Sequence, residues 1–348
     1  MLDESLYVLD DISLNIYSTD VGGDCDYLKL RSDSSMIVNV RAHGGSLDLM
    51  STKVTSWDPA TGDVDTDWAD GRSYISAISE VLVDSAEVCE GSAKKSMAEA
   101  RMDVEGSEIA YLGMEASESW GLSWKLRGIC NDKSNRDSYE GIGVYGNILD
   151  SKVHRLYYGH YSYRHLNGLF KGNAVRDNEI YGFDPHDDSV GLTISYNTVW
   201  NNENQGIIFS KYCHDAQVTN NHVYSNYGVG IFAHYVGDFS QIMHNVVEDN
   251  GSQNHQVAND HARKRVSIKH VARRATALNH HHFVVTGVLI QIVPIVVFHH
   301  IGGYHIVTRT NRETDAVDVV AHSVVVHKAI GGLEKRNPSL FRTRLRTG

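Results

Sequence analysis

Proline is almost absent from this chain, 4 in 348 residues, and cysteine is equally scarce. The cysteines, Cys25, Cys89, Cys130 and Cys213, show no CxxC spacing, which excludes a zinc ribbon or a thioredoxin-like redox motif. Cys89 and Cys130 could pair in a secreted protein; buried free thiols are the other reading, and both stand. The apolar run from Val284 to Phe298 contains Pro294 and, at about fifteen residues, is too short to span a bilayer comfortably. Met1-Leu2-Asp3-Glu4-Ser5 has neither a charged n-region nor an apolar stretch, so no secretory signal is visible and an intracellular protein or a fragment is expected. Positive charge is also in deficit, 32 Lys+Arg against 43 Asp+Glu. From His255 onward the balance reverses to about fourteen against five, which leaves the preceding body near -20. A field of that sign excludes a nucleic acid held by overall charge, and a polyanionic ligand would need a local cationic groove.

What is present is a repeat. Asn173, Asn197, Asn221 and Asn245 stand 24 residues apart, each opening a small apolar pattern: Asn173-Ala174-Val175, Asn197-Thr198-Val199, Asn221-His222-Val223, Asn245-Val246-Val247. A second asparagine set (Asn178, Asn202, Asn226, Asn250) and a glycine set (Gly182, Gly206, Gly230) keep the same step. A period in the twenties marks a solenoid, and short β-branched runs between Asn and Gly turns carry no helical period. Leucine-rich repeats share the period, but their leucine skeleton is missing. The expected fold is therefore all-β, a right-handed parallel β-helix with one coil per 24 residues or so. Stacked asparagines in its turns would hydrogen-bond their neighbours, a structural role.

Against that repeat, Tyr181-Gly182-Phe183-Asp184-Pro185-His186-Asp187-Asp188-Ser189 stands out, because Asp and Pro are depleted from sheet interiors. Equivalent positions on successive coils stack at about 4.8 Å. Aligned on the glycines, Phe183, Ile207 and Ile231 form a core column. His186, Ser210 and His234 form another, and Asp187, Lys211 and Tyr235 a third. One coil earlier, Gly159 aligns with Gly182 if that coil is one residue shorter, which brings Tyr161, Tyr163 and Arg164 beside Asp184, His186 and Asp187. Acid, base, cations and phenols thus converge on one sheet face. A structural alternative is an Asx-type turn stapling a coil corner around a hydrogen-bonded His186. Lys211 and Arg164 on the adjoining coils argue against it. Asp184, Asp187 and Asp188 offer oxygen ligands that suit Ca2+, which the adjacent Lys and Arg oppose; no cofactor is required.

The chain divides into irregular N-terminal coils and cap (1–100), a β-helix core with the groove (101–252) and a basic His- and Val-rich tail (253–348). In the first part Tyr7-Val8-Leu9, Met36 to Val40 and Ile75 to Val83 read as strands and Trp57 to Gly62 as a turn. Further on, Ser107 to Leu112, Trp120 to Arg127 and Ile142 to Tyr145 read as strands. Lys125 and Arg127 could extend a cationic groove, with solvated strand-edge charges the preferred account. After Gly251 the register stops, and periodicity, charge and histidine usage change together. The tail, with its cluster His280-His281-His282, is not expected to be a natural continuation of the solenoid.

The stretch Tyr181 to Ser189, followed by Gly206-Ile207-Ile208-Phe209-Ser210-Lys211, resembles the mannuronan C-5-epimerases of alginate. Val54 to Asp58, Asp70 to Ala77, Glu99 to Asp103 and Cys130 to Asn135 resemble the brown-algal branch in particular. The resemblance covers about residues 36 to 252. It implies a right-handed β-helix with a site along one face, an alginate or polymannuronate partner, and a protein acting in the cell wall or outside the cell. It further implies His186 as the base that removes H5 and Tyr181 as proton donor. Asp184 would bind the sugar carboxyl or orient His186, and Lys211 would neutralise the uronate, as an arginine does in periplasmic bacterial members. Arg164, Asp187, Tyr163, His234 and Tyr235 would bind substrate, although Tyr163, Tyr235 and His234 fit plain packing equally well. Where those bacterial members have His-Gly this chain has Gln205-Gly206. An alginate lyase, which abstracts the same proton, and a non-catalytic polyuronate-binding protein stay open beside the epimerase.

Overall fold

The computed structural model describes residues 1–82, 97–128, 141–234 and 239–251, together with the backbone of five short strands beyond them. Each coil lays down three short strands, one in each of three parallel sheets. The sheet that matters here runs, rung by rung, through Leu6–Val8, Asn39–His43, Tyr74–Val81, Gly121–Arg127, Tyr158–Tyr163, Phe183–His186, Ile207–Ser210, Ile231–His234 and Val257–Asp260. It is called the site sheet below. A parallel β-helix results, as the repeat demands.

The sequence period explains the core. Along the site sheet, His160, Phe183, Ile207 and Ile231 stand in one register, and every one is sealed from solvent. The third residue of each Asn-x-Val repeat points the same way in a neighbouring sheet, where Val153, Val175, Val199, Val223 and Val247 form a continuous buried column. Side chains alternate between the two faces of a strand, so the valines face in and their neighbours face out. Each buried Val, Ile or Phe contributes about 1.5–3 kcal/mol. The coil before the central motif is one residue shorter, as aligned, since His160 pairs Phe183.

Asparagine closes the corners. The Nδ2 of Asn173, Asn197 and Asn221 each donates at 2.9 Å to the Oδ1 of the next asparagine in the column, and that oxygen also accepts the backbone N–H one coil below. The second set, Asn178 through Asn250, does the same. In earlier coils smaller hydroxyls stand in, Ser151 and Ser107 accepting backbone N–H groups at 3.1 Å. The glycine set has a steric reason: a Cβ at Gly182 would come within 2.4 Å of the Gly206 carbonyl oxygen and 2.7 Å of Val199.

Rungs of the site sheet pair from Leu6 onward, with one register shift between Gly121 and Ser123, so the segment expected to hold irregular N-terminal coils and a cap contains coils of the solenoid. They also pass Gly251: Val257–Asp260 pairs Ile231–His234, and Ser267–Lys269 pairs Gln241–Met243. Ile231 to Val257 is a step of 26, which a strict 24-residue alignment misses. A separate unit, 292–348, carries a three-stranded antiparallel sheet, His299–Ile301, Tyr304–Val307 and Val325–Lys328. Cys89, Cys130 and the histidine run 280–282 lie outside the described residues, while Cys25 and Cys213 are free thiols. Among the described residues no helix is long and apolar enough to cross a membrane.

Candidate active site

Pro185 shapes the centre. Lacking an N–H, it cannot continue a ladder, and the rung Phe183–His186 pairs Ile207–Ser210 only at Phe183↔Ile207 while keeping four pairs with the strand before it. Side chains take over where backbone bonds stop. The Ser210 hydroxyl donates to Asp184 Oδ1 at 3.0 Å, and the Cys213 thiol donates to the Pro185 carbonyl at 3.3 Å.

Alternation then sets the outward face. Tyr161 stands in register with Asp184, and Tyr163 with His186. The His186 ring lies 5.5 Å from that of Tyr161, and its Nδ1 is 2.9 Å from Asp187 Oδ2. With the Nδ1 proton given to Asp187, Nε2 carries the lone pair, the arrangement a base requires. Lys211 is exposed at the next corner, where its carbonyl accepts the Asp188 N–H at 3.1 Å. Tyr181 packs edge-on against Tyr158 at 5.2 Å, and Tyr158 against Tyr161 at 5.8 Å. Trp120 covers Tyr161 at 3.9 Å. Burial, reinforced by the Asp184 carboxylate, pushes the phenols of Tyr158, Tyr161 and Tyr181 above their ordinary pKa, so all three hold their protons at neutral pH.

Asp184 is a strongly perturbed acid. It is 1 % exposed, and burial raises its carboxyl to about 6, against the pull of His186, the Ser210 hydroxyl and Lys211. That one carboxyl feels His186, Asp187 and Lys211 together is the electrostatic trace of their convergence. A carboxyl whose folded pKa exceeds its unfolded value near 4 favours folding in its protonated form. That contribution is full below about pH 4 and disappears as pH rises through about 6. Asp184→Asn is therefore expected to raise stability by about 2–3 kcal/mol at pH 8 and by little at pH 3.5. Thermal melts at both pH values check it, and an equal gain at both would contradict the assignment.

Of the residues expected in the patch, His186, Asp184, Asp187 and Tyr163 come together on this face, and Lys211, at the adjoining left-handed corner (φ 42), acts electrostatically on the Asp184 carboxyl. Tyr181 sits at its rim, reaching His186 through Tyr158 and Tyr161. His234 takes the next rung, in register with Ser210 and with its ring 5.4 Å from Phe232. Tyr235 lies outside the described residues. Arg164 is 5 % exposed, and its guanidinium donates to the carbonyls of Ile142 (2.8 Å) and Asp188 (3.4 Å). Its left-handed backbone, φ 57, turns the chain at the coil corner, and these two bonds brace that corner. Asp184, Asp187 and Asp188 do not make a calcium cage; among the described residues no group of three or more His, Cys, Asp or Glu is placed to hold a metal ion.

Sequence reasoning gave no role to Tyr161, Tyr158 or Trp120. Tyr161 fell in the right column, so the alignment could have raised it. Trp120 comes from the irregular loop 111–120, which no period reaches.

A model of the family described as periplasmic copper-binding protein (NosD) matches residues 106–268. The chain is 43% identical over 82 residues to a mannuronan C5-epimerase of Pseudomonas fluorescens, 23% of this chain and 16% of that protein. It is 36% identical over 120 residues to the mannuronan C5-epimerase AlgG of Azotobacter vinelandii, 34% of this chain and 22% of that protein. It thus spans about a fifth of the length of these curated relatives. The crystal structure of the periplasmic alginate epimerase AlgG superposes with a TM-score of 0.52 at 19% identity, over 74% of this chain and 62% of that one. In sequence the chain is similar to mannuronan C5-epimerases over part of its length, and in fold it is a parallel β-helix like the alginate epimerase.

Proposed function

We propose that this chain is a mannuronan C-5-epimerase, converting β-D-mannuronate to α-L-guluronate within alginate without breaking the polymer. Removing H5 places charge beside a carboxylate that is already negative, so the reaction needs a base, a neutralising group and a proton donor on the far face of the ring. One observation carries the reading: His186, its Nδ1 2.9 Å from Asp187, lies on the outward sheet face beside the buried carboxyl of Asp184 and the Lys211 corner. In this scheme Nε2 of His186 takes H5. Asp184, protonated near pH 6, shares a proton with the uronate, and Lys211 supplies the positive charge. A lysine keeps the charge that an arginine would bring but lacks its bidentate fork, so its grip is less rigid. Tyr181 is the assigned proton donor; Tyr161, whose ring meets that of His186, shields the base from water together with Trp120.

The substrate is polymannuronate, met outside the cytoplasm, and no cofactor is needed. The brown-algal branch is favoured by Val54 to Asp58, Asp70 to Ala77 and Glu99 to Asp103. The test is incubation with polymannuronate followed by proton NMR. Guluronate signals at unchanged chain length are expected. Unsaturated, ultraviolet-absorbing ends would establish a lyase instead, and binding without turnover a carbohydrate-binding role.

A further inference from the structure

Two rungs before His186, the same outward column holds a second group of charges. Lys125 is in register with Tyr163, which is in register with His186, so Lys125 lies about 9–10 Å along the sheet from the proposed base. Arg127 ends the same strand. Arg41, one strand beyond Tyr74–Val81, is steadied by the Ser76 and Tyr74 hydroxyls at 3.2 Å. All three cations turn to one carboxylate. Glu118 accepts two hydrogen bonds from the Arg127 guanidinium, lies 3.0 Å from Lys125 Nζ and 3.9 Å from Arg41. Despite a burial that would raise it, these bonds hold the Glu118 carboxyl down to about 2.

The carboxylate belongs to no strand. It hangs from loop 111–120 at a left-handed φ of 68, a region uncommon for a residue other than glycine. Two residues on, Trp120 of the same loop covers Tyr161, whose ring meets that of His186. The charged cluster and the catalytic patch therefore share one surface and one loop. Three cations around Glu118, with Glu80 in register with Arg127 as the second anion, leave a net positive site in a body of negative charge, and its present occupant has the chemistry of a uronate carboxylate.

We infer that Arg41, Lys125 and Arg127 form a second carboxylate subsite of the groove, which Glu118 fills from within the chain until a uronate further along the bound polymer displaces it. The identity of that ligand rests on the epimerase reading. The consequence is self-competition: a polyuronate must evict Glu118 to gain the full groove, whereas a neutral glycan has no means to do so.

Calorimetric binding of polymannuronate and of a neutral mannan of matched length, to the full chain at low salt, tests this. Glu118→Gln should tighten polymannuronate binding about fivefold, the equivalent of about 1 kcal/mol, and leave the mannan unaffected. Glu105→Gln removes an equal charge from an exposed position on the neighbouring sheet and should change neither. Arg127→Gln should weaken polymannuronate binding, with circular dichroism verifying that both groove variants fold. Equal effects of Glu118→Gln and Glu105→Gln, or none from Glu118→Gln and Arg127→Gln, would overturn the subsite while wild-type guluronate formation kept the epimerase reading. Absence of both binding and guluronate in the wild type would overturn the two together.

Discussion

His186→Ala is expected to abolish exchange of H5 with deuterated solvent and to lower guluronate formation by about 10²–10⁴-fold, the usual worth of a positioned base. The fold should survive, because the His186 side chain is partly exposed and its polar contact is with the adjacent Asp187, at 2.9 Å. What disappears is the one imidazole that the central motif places on the outward face beside Asp184. The measurement is proton NMR of polymannuronate incubated in deuterium oxide, with circular dichroism as the check on folding. Exchange persisting within a few-fold of wild type would assign the base elsewhere.

A loss of comparable size, in stability instead of chemistry, is expected from Asn197→Ala. The Asn197 side chain is buried, and its Oδ1 accepts both the Nδ2 and the backbone N–H of Asn173 at 2.9 Å. Its own Nδ2 donates to the Phe170 carbonyl and to Asn221. Alanine would strand two buried donors on one side and an acceptor on the other, at about 1–3 kcal/mol for each group left unpaired. A total of about 3–5 kcal/mol is expected from urea unfolding, after allowance for partial relaxation. Since each coil touches only its neighbours, the damage should spread along the ladder toward the site. A change under about 0.5 kcal/mol, the range of an ordinary surface substitution, would mean that the column is ornamental.

The central coils could be read from the sequence because their physics is local and repeated. Asn197 and Gly206 recur every 24 residues since each must meet its own copy on the next rung, and the shorter coil before Phe183 followed from aligning Gly159 with Gly182. Register alone then placed Tyr163 against His186. Arg164 defeated the method. Its column was right, but a left-handed corner residue turned its guanidinium onto backbone carbonyls, and nothing in a spacing pattern reports the direction of a long side chain. Glu118 and Trp120 escaped for a different reason, since they sit on a loop present in one coil only. The added rung at Val257–Asp260 was hidden by two extra residues in the preceding coil. Lys125 and Arg127 were set down as solvated edge charges because their partner, Glu118, stands seven and nine positions earlier on a loop whose path no periodicity describes.

The interrupted pairing at Pro185 leaves the reactive strand tied by a backbone ladder to the coil before it and, across the interruption, by side chains to the coil after. Stiffness is therefore lopsided across the reaction centre: the half bearing Tyr161 and Tyr163 acts as an anvil, while the half bearing Ser210 and Lys211 has room to give. A sugar ring that must change pucker as its configuration inverts would be held on one flank and followed by the other.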